Sequence, residues 1–392
     1  MHIEQIRNSH EFFRNGYLKK EEVETALDFA VGQIDLNMDL FGESFPGSST
    51  KNNSYPTIDN VEWTSGFWTG MLWLAYEYTN NEKYANLAKK NVDSFINRIN
   101  KKIEVNHHDL GFLYSPSTVA WYKLSGDEDA LQASIAAAEQ LVTRYNEKGK
   151  FIQAWGDKGD ASENRLIIDA LLNIPLLYWA SKVTNDDKYR KIAYEHYKTA
   201  KSTVFREDGS THHTYYFDKN GVPVKGVTRQ GYSDESSWAR GQAWAIYGNA
   251  LQYYNLQDEK IFDDFKSVTN FYLNRLPADN VPYWDLIFQD GSGQSRDSSA
   301  ASIAVCGMNE MLKYIPESDE YKLVYQSAAH SMLKALIYNY ANTDNNKGGA
   351  PLLLHGVYSW HSDHGVDEGN LWGDYFYMEA LIRFYKNWKI YW

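Results

Sequence analysis

The chain has 392 residues, of which 43% are hydrophobic and 23% charged, a composition typical of a folded globular protein. Its formal net charge of −12 argues against nucleic acid as a partner. The N-terminus is polar and no run of about 18 apolar residues occurs, so we expect no membrane association and predict a cytoplasmic protein. The one cysteine, Cys306, lies in an apolar helical run, which excludes an internal disulfide and favours a buried core position.

The chain reads as almost entirely helical. A first helix is predicted from about Glu21 to Asp35, and a last, aromatic helix from Leu371 to Trp388. Between them one pattern recurs: a helix that is apolar on nearly all sides, a short acidic turn, and an amphipathic helix. Each turn offers Asn, Ser or Asp as an N-cap and acids in the first turn of the next helix. These turns lie at 79–84, 125–130, 184–189, 256–261 and 316–321.

This alternation predicts an all-α fold with two concentric layers, because a helix that is apolar all round is buried and an amphipathic helix faces water. Six hairpins would form an α6/α6 barrel, and we expect residues 1–392 to be a single α/α-barrel catalytic domain. An open superhelix of helical pairs is the alternative. Long loops rich in Gly, Trp, His and Asp should gather at one end of the barrel. A short β-hairpin with an Asn-Gly turn is predicted at 213–224.

Two aspartates lie in unusually apolar surroundings. Asp109 lies in the stretch 106–115, just before a helical pattern that begins at Pro116, and Asp169 lies in the aliphatic run 165–172. Sugar hydrolysis needs one group that delivers a proton and another that assists, so the two aspartates are predicted to form one site. Desolvation would raise the pKa of Asp169 whereas a helix N-terminus would lower it, which leaves the sign open. The alternative is that each aspartate caps a helix, and this is the more serious alternative for Asp109.

Histidines, an arginine and tryptophans accompany these carboxylates. Arg240 and Trp244 share a helix face, so the pair can hold a carboxylate and a sugar face, unless Arg240 pairs with a nearby aspartate of the barrel wall. No closely spaced metal-binding set occurs, so no metal is predicted and hydrogen bonding to sugar hydroxyls is the favoured use of the histidines. These histidines are His107, His108, His212, His213, His355, His361 and His364. Tryptophans predicted to form a stacking platform are Trp63, Trp155, Trp284 and Trp360.

From about Glu62 to Trp388 the chain resembles the unsaturated glucuronyl hydrolases of glycoside hydrolase family 88. The resemblance is specific as an ordered set of segments. These are Asn60 to Trp68, His107 to Phe112, Glu163 to Asp169, His213 to Tyr215, and Trp238 to Trp244. The family implies an α6/α6 barrel that needs no cofactor. It also implies a small oligosaccharide substrate, left by polysaccharide lyases acting on hyaluronan, chondroitin or heparin-type chains, with a 4,5-unsaturated glucuronic acid at its non-reducing end.

The resemblance also implies residue roles. Asp169 is the proton donor and the base that activates water, which adds to the C4=C5 bond of the enol ether. Asp109 is the second carboxylate, which binds the sugar and tunes Asp169. The residues that we expect to bind substrate are Trp63, His108, Trp155, His213, Gln230, Arg240, Trp244, Ser359, Ser362 and His364.

One departure from the family concerns sulfated substrates. Some members carry a Ser-x-x-Ser-x-Lys run, and here Ser359 and Ser362 match while His364 replaces the lysine. We expect sulfate to be bound less firmly, with affinity falling as the histidine loses its proton. Lys225 or Arg229 could compensate.

Three other functions remain open. An unsaturated rhamnogalacturonyl hydrolase would apply the same chemistry to pectin fragments. An ordinary α/α-barrel glycosidase would act by displacement on saturated glycosides. A non-catalytic glycan-binding protein would bind without turnover. The sequence does not set the oligomeric state.

Overall fold

Helices dominate the structure, a computed structural model that describes residues 1–14, 16–344 and 346–392. Six segments form an inner ring in which each contacts the next and the sixth contacts the first. The second segment contains a π-helical turn, Ser115–Val119, between Leu110–Tyr114 and Ala120–Ser125. The third is Ala170–Asn173 continued by Pro175–Thr184. The others are Ser65–Thr79, Ala239–Leu256, Ser298–Met311 and Leu371–Tyr385.

Six further helices pack around this ring as an outer layer. They are Lys20–Phe41, Glu82–Asn100, Glu128–Val142, Asp187–Thr203, Lys260–Leu273 and Lys322–Ala335. Inner helices are buried on nearly every side, whereas outer helices bury one face, as their sequences predict. The α6/α6 barrel is therefore confirmed, and the open superhelix is wrong. A short helix, Ser9–Arg14, packs on the outer layer, and a π-helical turn, Leu336–Tyr340, extends the helix Lys322–Ala335.

Helix boundaries show where the sequence patterns were incomplete. The first long helix extends well beyond the predicted 21–35, and the last ends at Tyr385 instead of Trp388. The predicted start of a helix at Pro116 is wrong, because helical structure begins six residues earlier at Leu110. Pro116 lies in the π-helical turn, where a missing backbone N–H is tolerated.

Short antiparallel strands lie in the loops that connect outer helices to the next inner helices. They are Phe45–Pro46 with Thr57–Ile58, Tyr145–Asn146 with Phe151–Ile152, the sheet Arg165–Ile167, Thr214–Phe217 and Pro223–Val227, and Gly356–Ser359 with His364–Glu368. The predicted hairpin at 213–224 is confirmed. Its connection has five residues rather than two, because Asp218 accepts hydrogen bonds from the backbone N–H groups of Asn220 and Val222.

Two other expectations concern burial. Cys306 is buried on the inner helix Ser298–Met311, as predicted, and its thiol donates a hydrogen bond to the carbonyl of Phe376. Among the described residues, none of the helices combines the length and the apolar character that crossing a membrane requires.

Candidate active site

A cavity of about 730 Å³ opens at the loop end of the ring. The loops that precede the inner helices form its walls, and the N-terminal ends of those helices form its floor. The structure brings together in this lining the two catalytic aspartates and all the residues that the family resemblance assigns to substrate binding. They are Asp109, Asp169, Trp63, His108, Trp155, His213, Gln230, Arg240, Trp244, Ser359, Ser362 and His364.

Asp109 and Asp169 each occupy the N-cap position of an inner helix, but neither carboxylate caps its helix. Each side chain is 17% exposed and lies in the cavity lining. The alternative that these aspartates serve as helix caps is therefore correct about their position and wrong about their hydrogen bonds.

The helices that carry the two aspartates approach each other closely. A Cβ at Gly111 would overlap the backbone of Asn173, so only glycine fits at this contact. The side chain of Asn173 also joins the helices. It accepts a hydrogen bond from the N–H of Phe112 at 2.8 Å and donates to the carbonyl of Asp169 at 3.3 Å. This contact sets the separation of the two carboxylates.

His108 lies between the carboxylates. Its Nε2 is 3.3 Å from Oδ1 of Asp109 and 3.4 Å from Oδ1 of Asp169, and the ring is almost fully buried. Its Nδ1 has no hydrogen-bond partner among the described residues. Burial lowers the pKa of His108 to about 4, so the ring is neutral at pH 7 and carries its proton on Nε2, the nitrogen that faces both acceptors.

The two aspartates have opposite protonation tendencies. Burial, reinforced by the charge of Asp109, raises the pKa of Asp169 well above its usual range. Burial also acts on Asp109, but His108 and His107 outweigh it and lower the pKa of that carboxyl. A proton on this pair is therefore favoured on Asp169 rather than on Asp109. The direction of the Asp169 shift, which the sequence left open, is the one that desolvation causes.

Arg240 is an organising residue of the cavity wall. Its Nη1 donates to Asp297 at 2.6 Å and to the carbonyl of Val357 at 2.5 Å, and its Nη2 donates to Oε1 of Gln230 at 3.1 Å and to the carbonyl of Tyr358 at 2.8 Å. All four terminal N–H groups are thus occupied. The ion pair with an aspartate of the wall, weighed as an alternative, is present.

His213 and Gln230 present polar groups to the cavity. Nδ1 of His213 accepts hydrogen bonds from the N–H groups of Arg229 at 3.0 Å and Gln230 at 3.4 Å, which leaves Nε2 as the protonated nitrogen. Burial lowers the pKa of His213 to about 3, so this ring is also neutral. Because the Gln230 carbonyl oxygen accepts from Arg240, its amide N–H groups are available to a ligand.

The predicted aromatic platform is correct in part. Trp63, Trp155 and Trp244 line the cavity. Trp63 donates from Nε1 to the hydroxyl of Tyr358 at 2.9 Å. Trp155 is 43% exposed, and the guanidinium of Arg229 lies 5.5 Å from the centre of its indole ring. Inclusion of the two remaining tryptophans is wrong, because they stack on each other 5.0 Å apart and neither belongs to the cavity lining: Trp284 and Trp360.

The hairpin Gly356–Ser359/His364–Glu368 brings Ser359, Ser362 and His364 to the cavity mouth. His364 is exposed, and its Nε2 lies 3.2 Å from Oγ of Ser49. Of the two cations that could compensate for the missing lysine, Arg229 lines the cavity, whereas Lys225 is exposed on the strand Pro223–Val227.

Sequence reasoning missed several residues of the lining. Tyr358 precedes the serine run at Ser359, and Glu62 precedes Trp63. No spacing pattern in the sequence predicts that either residue lines the site. Trp238 belongs to a segment that carries the family resemblance, but no role was predicted for it. The lining residues that were not assigned to the site are Val61, Glu62, Glu104, Ile167, Trp238 and Tyr358. Of the other histidines predicted to bind sugar hydroxyls, His107 and His361 line the cavity, whereas His212 and His355 do not.

Three residues of the cavity floor carry groups that metal ions bind. His108, Asp109 and Asp169 place one imidazole nitrogen and two carboxylate oxygens within 4.8 Å of one another, and these are donors that divalent cations accept. The raised pKa of Asp169 favours a proton there. That this site uses no metal stays a prediction.

Proteins of known family resemble this chain over most of its length. Residues 38–352 match the family described as Glycosyl Hydrolase Family 88. The chain belongs to Glycosyl Hydrolase Family 88. It is 58% identical over 391 residues to an unsaturated chondroitin disaccharide hydrolase of Streptococcus pneumoniae, covering all of this chain and 98% of the relative.

Solved structures of the family agree with the fold. A crystal structure of unsaturated glucuronyl hydrolase from Streptococcus agalactiae superposes with a TM-score of 0.99 at 57% identity, covering 100% of this chain and 99% of that one. A mutant of the same enzyme, solved in complex with dGlcA-GalNAc6S, gives a TM-score of 0.91 at 54% identity, again covering 100% and 99% of the two chains.

Proposed function

We propose that this protein removes the 4,5-unsaturated glucuronic acid from the non-reducing end of glycosaminoglycan fragments produced by lyases, with chondroitin and hyaluronan disaccharides as the main substrates. The observation that carries the proposal is the pair of carboxyls on the cavity floor, with His108 between them, in which the pKa of Asp169 is raised and that of Asp109 is lowered. The names of the relatives support the substrate class.

The chemistry follows from the protonation of this pair. The substrate is an enol ether, so Asp169 delivers its proton to C4 and leaves an oxocarbenium ion at C5. Asp109, ionised at the same time, stabilises that positive charge. Asp169, now a carboxylate, takes a proton from water as the water adds to C5. The C5–O5 bond of the resulting hemiketal then breaks, and C1 releases the next sugar.

The cavity walls orient the sugar ring. The Nε2–H of His213 and the amide of Gln230 are donors suited to the uronate and its hydroxyls, and Trp63 and Trp155 offer faces to the rings. Arg240 supports the site indirectly, because its terminal N–H groups fix Gln230 and the hairpin backbone. Its cation also opposes the rise in the pKa of Asp169.

Sulfated disaccharides are included in this proposal. Ser359, Ser362 and His364 at the cavity mouth, with Arg229 on another wall, offer two hydroxyls and two basic groups to a sulfate. A relative binds dGlcA-GalNAc6S, which supports a 6-sulfated disaccharide as a ligand.

The substitution His364→Lys tests the sulfate proposal. A permanent cation should lower KM for a 6-sulfated unsaturated disaccharide by about 10-fold. KM for the unsulfated disaccharide serves as the control and should stay unchanged. Equal changes in both constants would show that His364 does not contact the sulfate.

A substrate panel separates this function from its rivals. We expect turnover of unsaturated chondroitin and hyaluronan disaccharides and none of their saturated counterparts. Turnover of saturated glycosides would indicate displacement at C1. Activity confined to unsaturated pectin fragments would indicate a rhamnogalacturonyl hydrolase. Binding without turnover of any of these compounds would indicate a glycan-binding protein.

The proposal treats residues 1–392 as one catalytic domain and places the enzyme in the cytoplasm. The closed inner ring, to which residues from 65 to 385 contribute, supports the first point. Cell fractionation with an antibody against the protein tests the second.

A further inference from the structure

The segment 103–106 leads into His107, His108 and Asp109, and two buried arginines hold it, Arg98 on the outer helix Glu82–Asn100 and Arg144 just after the outer helix Glu128–Val142. Arg98 donates from Nε to the carbonyl of Ile103 at 3.1 Å and from Nη2 to the carbonyl of Glu104 at 2.8 Å. Arg144 donates from Nη1 to Oδ1 of Asn106 at 2.8 Å. Both guanidinium groups therefore bind the backbone or side chains that immediately precede the catalytic residues.

Arg98 uses every donor that it has. Besides its bonds to the segment 103–106, it donates to Oδ1 of Asn60 and to the carbonyls of Val61 and Glu62, each at 2.9 Å. Within the described residues no carboxylate lies within 4.0 Å of it, and it is 1% exposed. Its charge is thus neutralised by amide dipoles of two cavity loops, which it joins.

The loop that Arg98 holds is conformationally strained. Lys102 and Glu104 have φ values of +57° and +43°, in the left-handed region that side chains disfavour. Such a backbone conformation persists only where its surroundings impose it. The hydrogen bonds of Arg98 to residues 103 and 104 impose it here.

Arg144 connects the catalytic segment with the loop that carries Trp155. It donates from Nε to the carbonyl of Gln153 at 3.1 Å and from Nη2 to the carbonyl of Gly156 at 3.0 Å, on either side of Trp155. The N–H of His108 donates to the carbonyl of Ala154 in the same loop at 2.7 Å. One guanidinium therefore fixes the distance between a catalytic segment and a substrate-facing indole.

We propose that Arg98 and Arg144 are positioning residues, which hold the segment 103–106 so that Asp109 and His108 face Asp169 in the productive arrangement. The inference rests on the proposed function for its kinetic readout. Arg144 also acts on the site through its charge. After burial and the neighbouring His107, it is among the groups that lower the pKa of His108 and keep that ring neutral.

The chain contains its own control. Arg275 follows the outer helix Lys260–Leu273 by two residues, as Arg144 follows Glu128–Val142. Its guanidinium binds Glu4 at 3.0 Å and the carbonyl of Phe271 at 2.8 Å, and Arg275 does not line the cavity. Loss of Arg275 should therefore affect stability without affecting the site.

A double-mutant cycle tests the proposal. Asn106→Ala removes the link to the catalytic segment alone, so kcat should fall about 10-fold while KM changes by less than about 2-fold. Arg144→Lys also loosens the Trp155 loop, so kcat should fall and KM should rise. The double variant should have the kcat of Arg144→Lys, because both changes remove the same link. Arg275→Lys should keep both constants of the wild-type protein.

A second measurement does not depend on turnover. Carbon-13 NMR of the aspartate carboxyls follows the titration of Asp109 and Asp169, which should change in Asn106→Ala and Arg144→Lys but not in Arg275→Lys. Wild-type protein without turnover would contradict the proposed function, and the NMR comparison would still decide on positioning. An unchanged titration in both variants, or the same change in Arg275→Lys, would overturn the inference.

Discussion

Asp109 and Asp169 have the same side chain but opposite shifts of pKa, and their immediate neighbours cause the difference. Both are equally exposed, so burial alone cannot separate them. Asp109 has two imidazoles within 3.3 Å, whereas Asp169 has one and faces the negative charge of Asp109. A protonated acid beside a carboxylate is the arrangement that protonation of an enol ether needs.

The pH profile of kcat/KM should therefore be bell-shaped. Activity requires a proton on Asp169, whose pKa is raised, and should be lost as pH rises through that value. It also requires ionised Asp109, whose pKa is lowered, so the acidic limb should lie below the usual range of a carboxyl. In Asp109→Asn the charge that raises the pKa of Asp169 is absent, and the alkaline limb should move down by about one pH unit or more.

Residual activity of Asp109→Asn, measured across pH, checks this expectation. His361→Asn is a suitable control, since His361 lines the cavity but is absent from the causes of either shift. An alkaline limb at the same pH in Asp109→Asn and wild type would show that the two carboxyls are not coupled. At this scale the sequence could identify both aspartates, but not the direction of the pKa shift of Asp169, which depends on burial and on the charge of Asp109.

At the scale of the element, the contact between two inner helices sets the spacing of the site. Gly111→Ala would push Leu110–Tyr114 away from Ala170–Asn173, because the new Cβ overlaps Asn173. Overpacking of this kind costs about 1 to 3 kcal/mol of unfolding free energy. We also expect kcat to fall about 10-fold or more, because Asp109 and Asp169 move apart with their helices.

Thermal denaturation and kcat of the folded variant measure these effects. Gly126→Ala is the control: Gly126 has a φ of +76° and open space around its Cβ position, so the change should cost stability but not kcat. Normal kcat in Gly111→Ala would mean that helix separation does not control the dyad.

Element boundaries mark the limits of pattern reading. The helix Leu110–Tyr114 was missed because its glycine and the polar residues before it look like a loop, whereas in the fold it packs against several helices, among them Ser65–Thr79 and Ala170–Asn173. Trp284 and Trp360 lie in loops near the cavity, but their rings stack on each other and do not line it. Side-chain direction within a loop follows from the folded backbone, which spacing does not specify.

At the scale of the whole molecule, the ring closes where Leu371–Tyr385 meets Ser65–Thr79. Asp374 at this closure is buried, and its carboxylate accepts hydrogen bonds from the hydroxyl of Tyr55 and the N–H of Leu353, both at 2.9 Å. Burial without a basic partner raises its pKa to about 7. Asp374 thus joins two loops to the last inner helix. Above about pH 7 its carboxyl carries a negative charge in a buried position.

The contribution of Asp374 to the free energy of unfolding should therefore decline as pH rises from about 4 to about 7. The folded state binds the proton more tightly than the unfolded chain, whose carboxyl has a pKa of about 3.9, so the contribution is about 1.4 kcal/mol per pH unit in that range. Asp374→Asn should remove this slope. The difference in unfolding free energy between the two proteins, measured by denaturant titration at pH 5 and pH 8, isolates it from other titrating groups, and a constant difference would contradict the expectation.

The architecture was the most predictable feature of this chain. Alternation of all-apolar and one-faced helices specified two layers, and six hairpins specified a closed ring. Closure also places the loops at one end, which is why residues as distant as Trp63 and His364 could be assigned to one site. The hydrogen bonds of Arg98, Arg144 and Arg240 could not be predicted, because they join carbonyl groups that are brought together only by folding.

The most direct test of the central claim follows the ultraviolet absorbance of the C4=C5 chromophore in an unsaturated chondroitin disaccharide. With wild-type protein the absorbance should fall as water adds to the double bond. With Asp169→Asn, which keeps the shape but has no proton to deliver, it should stay constant while the disaccharide still binds. Loss of absorbance at the wild-type rate in Asp169→Asn, or none with wild-type protein, would contradict the account.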